Sequence, residues 1–187
     1  GVKLKRPCLR AEFYYFWMNI DDMILRTPAG SSGSTTLFSR SNRDAHINGL
    51  EWSAQYDLVN NWTFYGQMSY YLGTDLIRNE PLSRIPPTQG VLGLRWQDPC
   101  RSQYFDFFAW LVRRQDRLNF QDISDTRIPD GGTPGYATFN LRWSSMFSDT
   151  QRITLELENL LDRAYRVHGS GVDGAGISAN IGYERIF

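Results

Sequence analysis

Two histidines, two cysteines and a scatter of carboxylates are the residues here whose types could do chemistry. His46 opens a strand-like stretch and His168 sits in a long loop near the C-terminus. Two isolated histidines do not supply the ligand set of a zinc centre. His168 is a candidate contact for an external ligand, beside the plainer reading of a solvated loop histidine. Asp122, Asp125 and Asp130 crowd the segment QDISDTRIPDGG, but not at the spacing of a calcium-binding EF-hand loop. Turn and cap chemistry suits them better. Cys8 and Cys100 show neither metal nor redox spacing. GSSGS and GSG read as flexible loops rather than the strand–turn–helix elbow of a nucleophilic serine. No catalytic set, metal site or cofactor follows, and the chain is expected not to be an enzyme.

The elements that carry these residues are strands. The chain has 187 residues, zero formal net charge and 14% aromatic residues. That length suits one domain, and the neutral balance gives no basic footprint for nucleic acid. Mean hydropathy is negative, and no run approaches the ~18 apolar residues of a membrane helix. In NWTFYGQMSYYLG, Trp62, Phe64, Gly66, Met68, Tyr70 and Leu72 alternate with Thr63, Tyr65, Gln67, Ser69 and Tyr71. The same period of two runs through GYATFNLRWS and QRITLELEN. Strands are expected over roughly 9–25, 44–58, 62–73, 88–97, 103–116, 135–145, 151–159 and 176–187, after a stub at 1–5. Gly49, inside a strand, marks either a bulge or the close approach of another backbone.

The connections alternate in length. KRPCL, LVNN, QDPCRSQ and SSMFSDT are short, and the four segments between them run to about fifteen to eighteen residues. Up-and-down outer-membrane barrels have this rule, with tight periplasmic turns at one rim and long external loops at the other. The reading is an all-β transmembrane antiparallel up-and-down β-barrel segment of about eight strands, partial or open. Trp62, Tyr104, Trp143 and Tyr183 lie near strand ends and suit interfacial girdles. Cys8 and Cys100 then fall in turns of one rim. By strand count those turns are roughly 19 Å apart, beyond the reach of a disulfide. The last stretch, ISANIGYERIF, alternates to a terminal aromatic and in this resembles the recognition signal of outer-membrane proteins, with Tyr183 and Phe187 as the candidate residues for the barrel-assembly machinery.

These motifs resemble, in order and over nearly the whole chain, the C-terminal barrel of TonB-dependent receptors. FYYFWMNIDDMI is similar to the family's strand ending in an acidic pair. NRDAHINGLEWSAQYDL matches its Asn-x-x-Ala-x-Ile-x-Gly-hydrophobic-Glu strand. PLSRIPPTQGVLGLRW carries the Ile-Pro-Pro that precedes a descending strand, and ENLLDRAYRVHGSG the Asn-Leu-x-Asp-x-x-Tyr before the last hairpin. The resemblance implies a parent barrel of about 22 strands, of which residues 1–187 would be a C-terminal fragment without the plug domain. It implies outer-membrane lipid around the wall, an N-terminal plug in the same full-length chain, and TonB acting through that missing region. The cargo would be a scarce nutrient such as a ferric siderophore, haem, cobalamin or glycan. Glu51, Arg95, Arg142, Glu156 and Glu158 fall on the expected lumen face, where they contact the plug or simply water. Three other readings stand beside this one: a complete eight-stranded outer-membrane barrel with a structural or adhesive role, an outer-membrane barrel enzyme, and a soluble β-sandwich binding module.

Overall fold

A computed structural model of the chain describes residues 1–100 and 102–185. Among the described residues ten strands run in chain order: β1 (Val2–Lys5), β2 (Leu9–Ser32), β3 (Thr35–Asp57), β4 (Trp62–Asp75), β5 (Glu80–Pro81), β6 (Gln89–Gln97), β7 (Gln103–Val112), β8 (Tyr136–Ser148), β9 (Gln151–Glu158) and β10 (Ser178–Arg185). All pair antiparallel with the next in sequence, except that short β5 caps the end of β4 and β4 goes on to pair with β6. β1 and β10 are the two edges. Among the described residues no pairing joins β2 to β10, so the sheet is open, as expected of a barrel segment. The turns β1–β2, β3–β4, β6–β7 and β8–β9 therefore share one rim, and the remaining connections the other. At the short-turn rim, neighbouring turns are stitched by backbone bonds such as Asp57 N to Cys8 O (2.8 Å) and Gln97 N to Asn61 O (3.1 Å). Cys8 and Cys100 are both free and exposed in this row of turns.

One expected loop is not a loop. The Ser/Gly/Thr-rich stretch after Leu25 continues as β2 and β3, which pair to a two-residue turn at Gly33–Ser34. Apolar alternation fades there because these rungs lie beyond the tight apolar wall, yet the backbone ladder persists. Asp21 and Asp22 form a bulge opposite Asp44, with Asp22 at φ 54°. Its amide donates to the Asp44 carboxylate at 3.3 Å. The acidic pair of the motif is thus a kink device. A second correction concerns the third long loop, which contains a short helix, α1 (Phe120–Ser124).

Cross-strand register sorts the faces. Leu9, Tyr56, Phe64, Leu94, Phe107, Leu141, Leu157 and Ala179 are successive partners across the sheet. Toward the short-turn rim, Trp62, Trp96, Phe105, Trp143, Leu155 and Ile181 form the next row on the same face. Its rings touch, with centroids 6.1 Å apart for Trp96–Phe105 and 6.3 Å for Phe105–Trp143. These side chains are mostly exposed, in a continuous apolar wall far larger than a water-soluble monomer presents. This row is an aromatic girdle. Trp62, Trp143 and Tyr183 belong to that outward face, as expected. Tyr104 does not: Phe105 takes the outward place, and Tyr104 turns inward with Arg95 over its ring at 5.5 Å.

Candidate functional site

The opposite face is polar, and its charges are arranged. Asp57, Thr63, Arg95, Asp106, Arg142, Glu156 and Asn180 form one row of successive partners. Arg10 adds a cation to Asp57 at 2.9 Å. Charge sign alternates along this belt. Arg95 donates to Asp106 at 2.5 and 3.2 Å, and Arg142 to Glu156 at 2.5 Å. Lys3–Glu12 (3.3 Å), Arg43–Asp75 (3.1 Å) and Arg152–Glu184 (3.9 Å) repeat the device elsewhere on this face.

Asp106 is the most enclosed charge, its side chain 1% exposed. A missing side chain makes its setting possible. Tyr65 is the register partner of Gly93. The Tyr65 ring lies where a Gly93 β-carbon would stand, and so crosses β6 to donate its hydroxyl to Asp106 at 2.8 Å. Gly49 plays a similar part between Phe16 and Tyr71, its register partners on either side. A β-carbon there would meet both rings at 2.7 Å. The close approach expected at Gly49 is therefore of rings, without a bulge and without another backbone. Tyr71 donates to Glu51 at 2.5 Å, and Ser178 to Glu158 at 3.4 Å. Glu51 and Glu158 have no partner of opposite charge among the described residues, unlike Arg95, Arg142 and Glu156. Glu12, Tyr14, Glu51, Gln67 and Trp110 line a hollow of about 570 Å³ on this face.

Above the polar wall the long loops interlock. Asn119 caps α1 by accepting from Gln121 N and Asp122 N, while the Asp122 carboxylate accepts from Asn119 N. The buried Asp122 carboxylate also accepts from Ser83 Oγ (2.7 Å) and Arg84 N (3.1 Å) of the β4–β6 connection. Asp122 is thus a cap and a tie between loops. Asp125 holds Arg84 (2.9 Å) and Arg127 (2.6 Å). Gln115 Nε2 donates to Ile85 O at 2.6 Å. His168 belongs to the same set: its Nδ1 bonds Thr133 Oγ1 at 2.8 Å, and its Nε2 is buried without a partner among the described residues. Burial holds its pKa below the ordinary histidine value, against the pull of Asp122 and Asp125. His46 lies apart, stacked on Trp17 with centroids 4.9 Å apart. Among the described residues no group of three His, Cys, Asp or Glu side chains is placed to hold a metal ion.

Sequence reasoning missed the residue that organises the last loop. Asn159, buried at φ 52°, donates to Arg163 O (2.9 Å) and Ala175 O (3.0 Å) and accepts from Arg163 N (2.8 Å). Its own amide bonds Asn140 Oδ1 on β8 at 3.0 Å. Asp162 accepts from Ile177 N at 3.1 Å, and Tyr165 packs on Tyr136 with centroids 4.5 Å apart. The signal was present, because these are the Asn, Asp and Tyr of the NLLDRAY motif. Of the terminal pair, Tyr183 stacks on Phe147 at 6.4 Å and donates to Gln151 at 3.0 Å. Phe187 lies outside the described residues.

An antiparallel wall that is apolar outside and charged inside, with tight turns on one rim and long loops on the other, defines an outer-membrane β-barrel. Residues 1–160 match the family model described as TonB dependent receptor-like, beta-barrel, and the chain belongs to that family of outer-membrane receptors. Three solved structures show the same fold. The copper transporter OprC is 20% identical with a TM-score of 0.86, over 99% of this chain and 30% of its own. The FrpB iron transporter from Neisseria meningitidis (F3-3 variant) is 15% identical with a TM-score of 0.71, over 98% and 29%. The siderophore receptor PirA from Acinetobacter baumannii is 18% identical with a TM-score of 0.68, over 96% and 29%. The chain thus spans about 30% of the length of the structures it matches. No curated protein matches it significantly.

Proposed function

We propose that residues 1–187 are the C-terminal part of the barrel of a TonB-dependent transporter, which takes up a scarce nutrient by energy-coupled transport rather than catalysing a reaction. The polar inward face, with its belt of cross-strand ion pairs, is the observation that carries this reading. A plug from the N-terminal part of the full-length chain would fill the lumen against it. Glu51 and Glu158, which lack basic partners among the described residues, are the wall carboxylates most open to such a plug. Arg95, Arg142 and Glu156 serve the wall first. The cargo is a metal chelate or a small nutrient: ferric siderophore, haem, cobalamin, glycan or copper, the last named in a structural neighbour. The interlocked loops, His168 among them, would form its external vestibule. TonB acts through the N-terminal region, and the barrel-assembly machinery inserts the wall.

The test is uptake by cells carrying or lacking the full-length gene, with radiolabelled ferric siderophores, haem, cobalamin, labelled oligosaccharides and copper. One cargo should accumulate only with the gene, and only with TonB and a proton gradient. Accumulation that persists without TonB, or that follows none of these cargoes, would defeat the proposal.

A further inference from the structure

The last long connection is a folded unit rather than a slack one. Over residues 163–176 the chain doubles back on itself. Gly174 N donates to Tyr165 O at 2.7 Å, Arg166 pairs antiparallel with Asp173, and Ser170 N donates to Val167 O at 3.0 Å across the tip. The Arg166 guanidinium closes on the Asp173 carboxylate at 2.8 Å. Asn159 and Asp162 tie the two ends together at the foot, and Tyr165 packs on Tyr136 beside them. A flap that carries its own bonds in this way can move as one piece. Beyond its foot it is held by little. Among the described residues a single hydrogen bond joins residues 163–176 to the neighbouring loops: His168 Nδ1 with Thr133 Oγ1 at 2.8 Å. Beside it the Arg127 stem lies against Gly171, 2.9 Å from where a β-carbon would stand.

That single tether depends on a neutral ring. His168 Nε2 is buried without a partner among the described residues. The docked ring therefore suits the form with its proton on Nδ1, toward Thr133, and Nε2 bare. A second proton would set a donor and a positive charge where no described group accepts them. The charged groups that face the ring are Asp122 and Asp125 from the α1 segment and Arg84 from the β4–β6 connection. Both carboxylates are already engaged, Asp122 by Ser83 Oγ, Arg84 N and Asn119 N, and Asp125 by Arg84 and Arg127. Arg84 repels a further cation. Once undocked, the ring meets water, which serves both nitrogens.

We propose that residues 163–176 form a proton-released latch at the external rim: neutral His168 holds the flap down on Thr133, and protonation of Nε2 frees it to swing out on its Asn159 foot, opening the space between the last loop and α1. The latch rests on the loop geometry and holds whatever cargo the receptor carries.

The test is a distance between flap and α1 in the full-length receptor, reconstituted in lipid nanodiscs. Ile123→Cys and Val172→Cys, at two exposed positions, would carry spin labels in a background of Cys8→Ser and Cys100→Ser, and pulsed dipolar spectroscopy would read their separation from pH 7.5 to pH 5. Heat-modifiable migration at each pH checks that the barrel stays folded. One short distance should dominate at pH 7.5. A longer one should grow as pH falls from about 6.5 toward the docked pKa, its ratio to the short one rising by at most about tenfold per pH unit, and should vanish on return to pH 7.5. His168→Gln, whose amide can still bond Thr133 but does not titrate, should hold the short distance at pH 5. An unchanged distance across the range would overturn the latch. So would a pH-dependent change that persists in His168→Gln, which would assign the response to Asp122 or Asp125 instead.

Discussion

Arg95 and Asp106 face each other, but their burial differs, and that difference sets the cost of losing either one. The side chains are 44% and 1% exposed. Arg95→Ala strands a carboxylate that water barely reaches, with the Tyr65 hydroxyl as its remaining side-chain donor. Breaking a buried pair in this way costs about 3–5 kcal/mol. Asp106→Ala strands a guanidinium that is nearly half in water and can rehydrate, so its cost should be about 1–2 kcal/mol. The double variant no longer holds an isolated charge and should resemble Asp106→Ala. Arg95→Ala would thus be rescued by a second deletion, with a coupling energy equal to the Arg95→Ala cost itself, about 3–5 kcal/mol. Urea unfolding of the full-length receptor refolded into lipid vesicles gives the three values. Equal costs for the two single variants, or additivity within about 0.5 kcal/mol, would refute the burial argument.

Gly93→Val should destabilise the barrel by about 1–3 kcal/mol, because the new side chain takes the space of the Tyr65 ring. Tyr65→Ala in the same chain should recover part of that loss in the same unfolding assay. For His168 the folded pKa lies below the ordinary value, so its contribution is whole above about pH 6.5. It is lost as pH falls from there through the folded pKa. Hydrogen-exchange protection factors, with the pH dependence of intrinsic exchange removed, should therefore fall in residues 113–135 and 159–177 on mild acidification, and His168→Phe should flatten that response. Cys8 and Cys100 should both take a maleimide in unreduced, denatured protein; a Cys8–Cys100 linked peptide in the digest would contradict the strand order.

The strand pattern was legible wherever one face meets hydrocarbon. Trp62 to Leu72 and Ala137 to Trp143 alternate because each second residue must be apolar. The sequence could not say which face looks inward; cross-strand ion pairs and ring contacts between strands decide it. Where the wall rises past its apolar rows, side chains stop reporting the backbone. The Ser/Gly/Thr stretch after Leu25 therefore reads as a loop although it is a paired hairpin. Tyr104 was misplaced by one residue, which in a strand reverses the face. The helix α1 is five residues long, too short for any periodicity, and only the Asn119–Asp122 capping pair could have announced it. The lumen arginines and glutamates were visible as types. Their pairing was not, because a partner across the sheet lies 11 residues away for Arg95 and 14 for Arg142.

The alternating belt has an electrical consequence. Opposite charges set side by side make a row of small dipoles, and the field of a dipole dies away with distance faster than that of a lone ion. A solute a few ångströms off this wall meets little net potential, whatever its own sign. A surface of that kind neither captures ions nor repels them, and it lets a neighbouring surface slide without a deep electrostatic well at any one position. On the proposed transport reading, discrimination by charge would then fall to the rim, where Arg26, Arg84, Arg127 and Asp125 line a hollow of about 400 Å³.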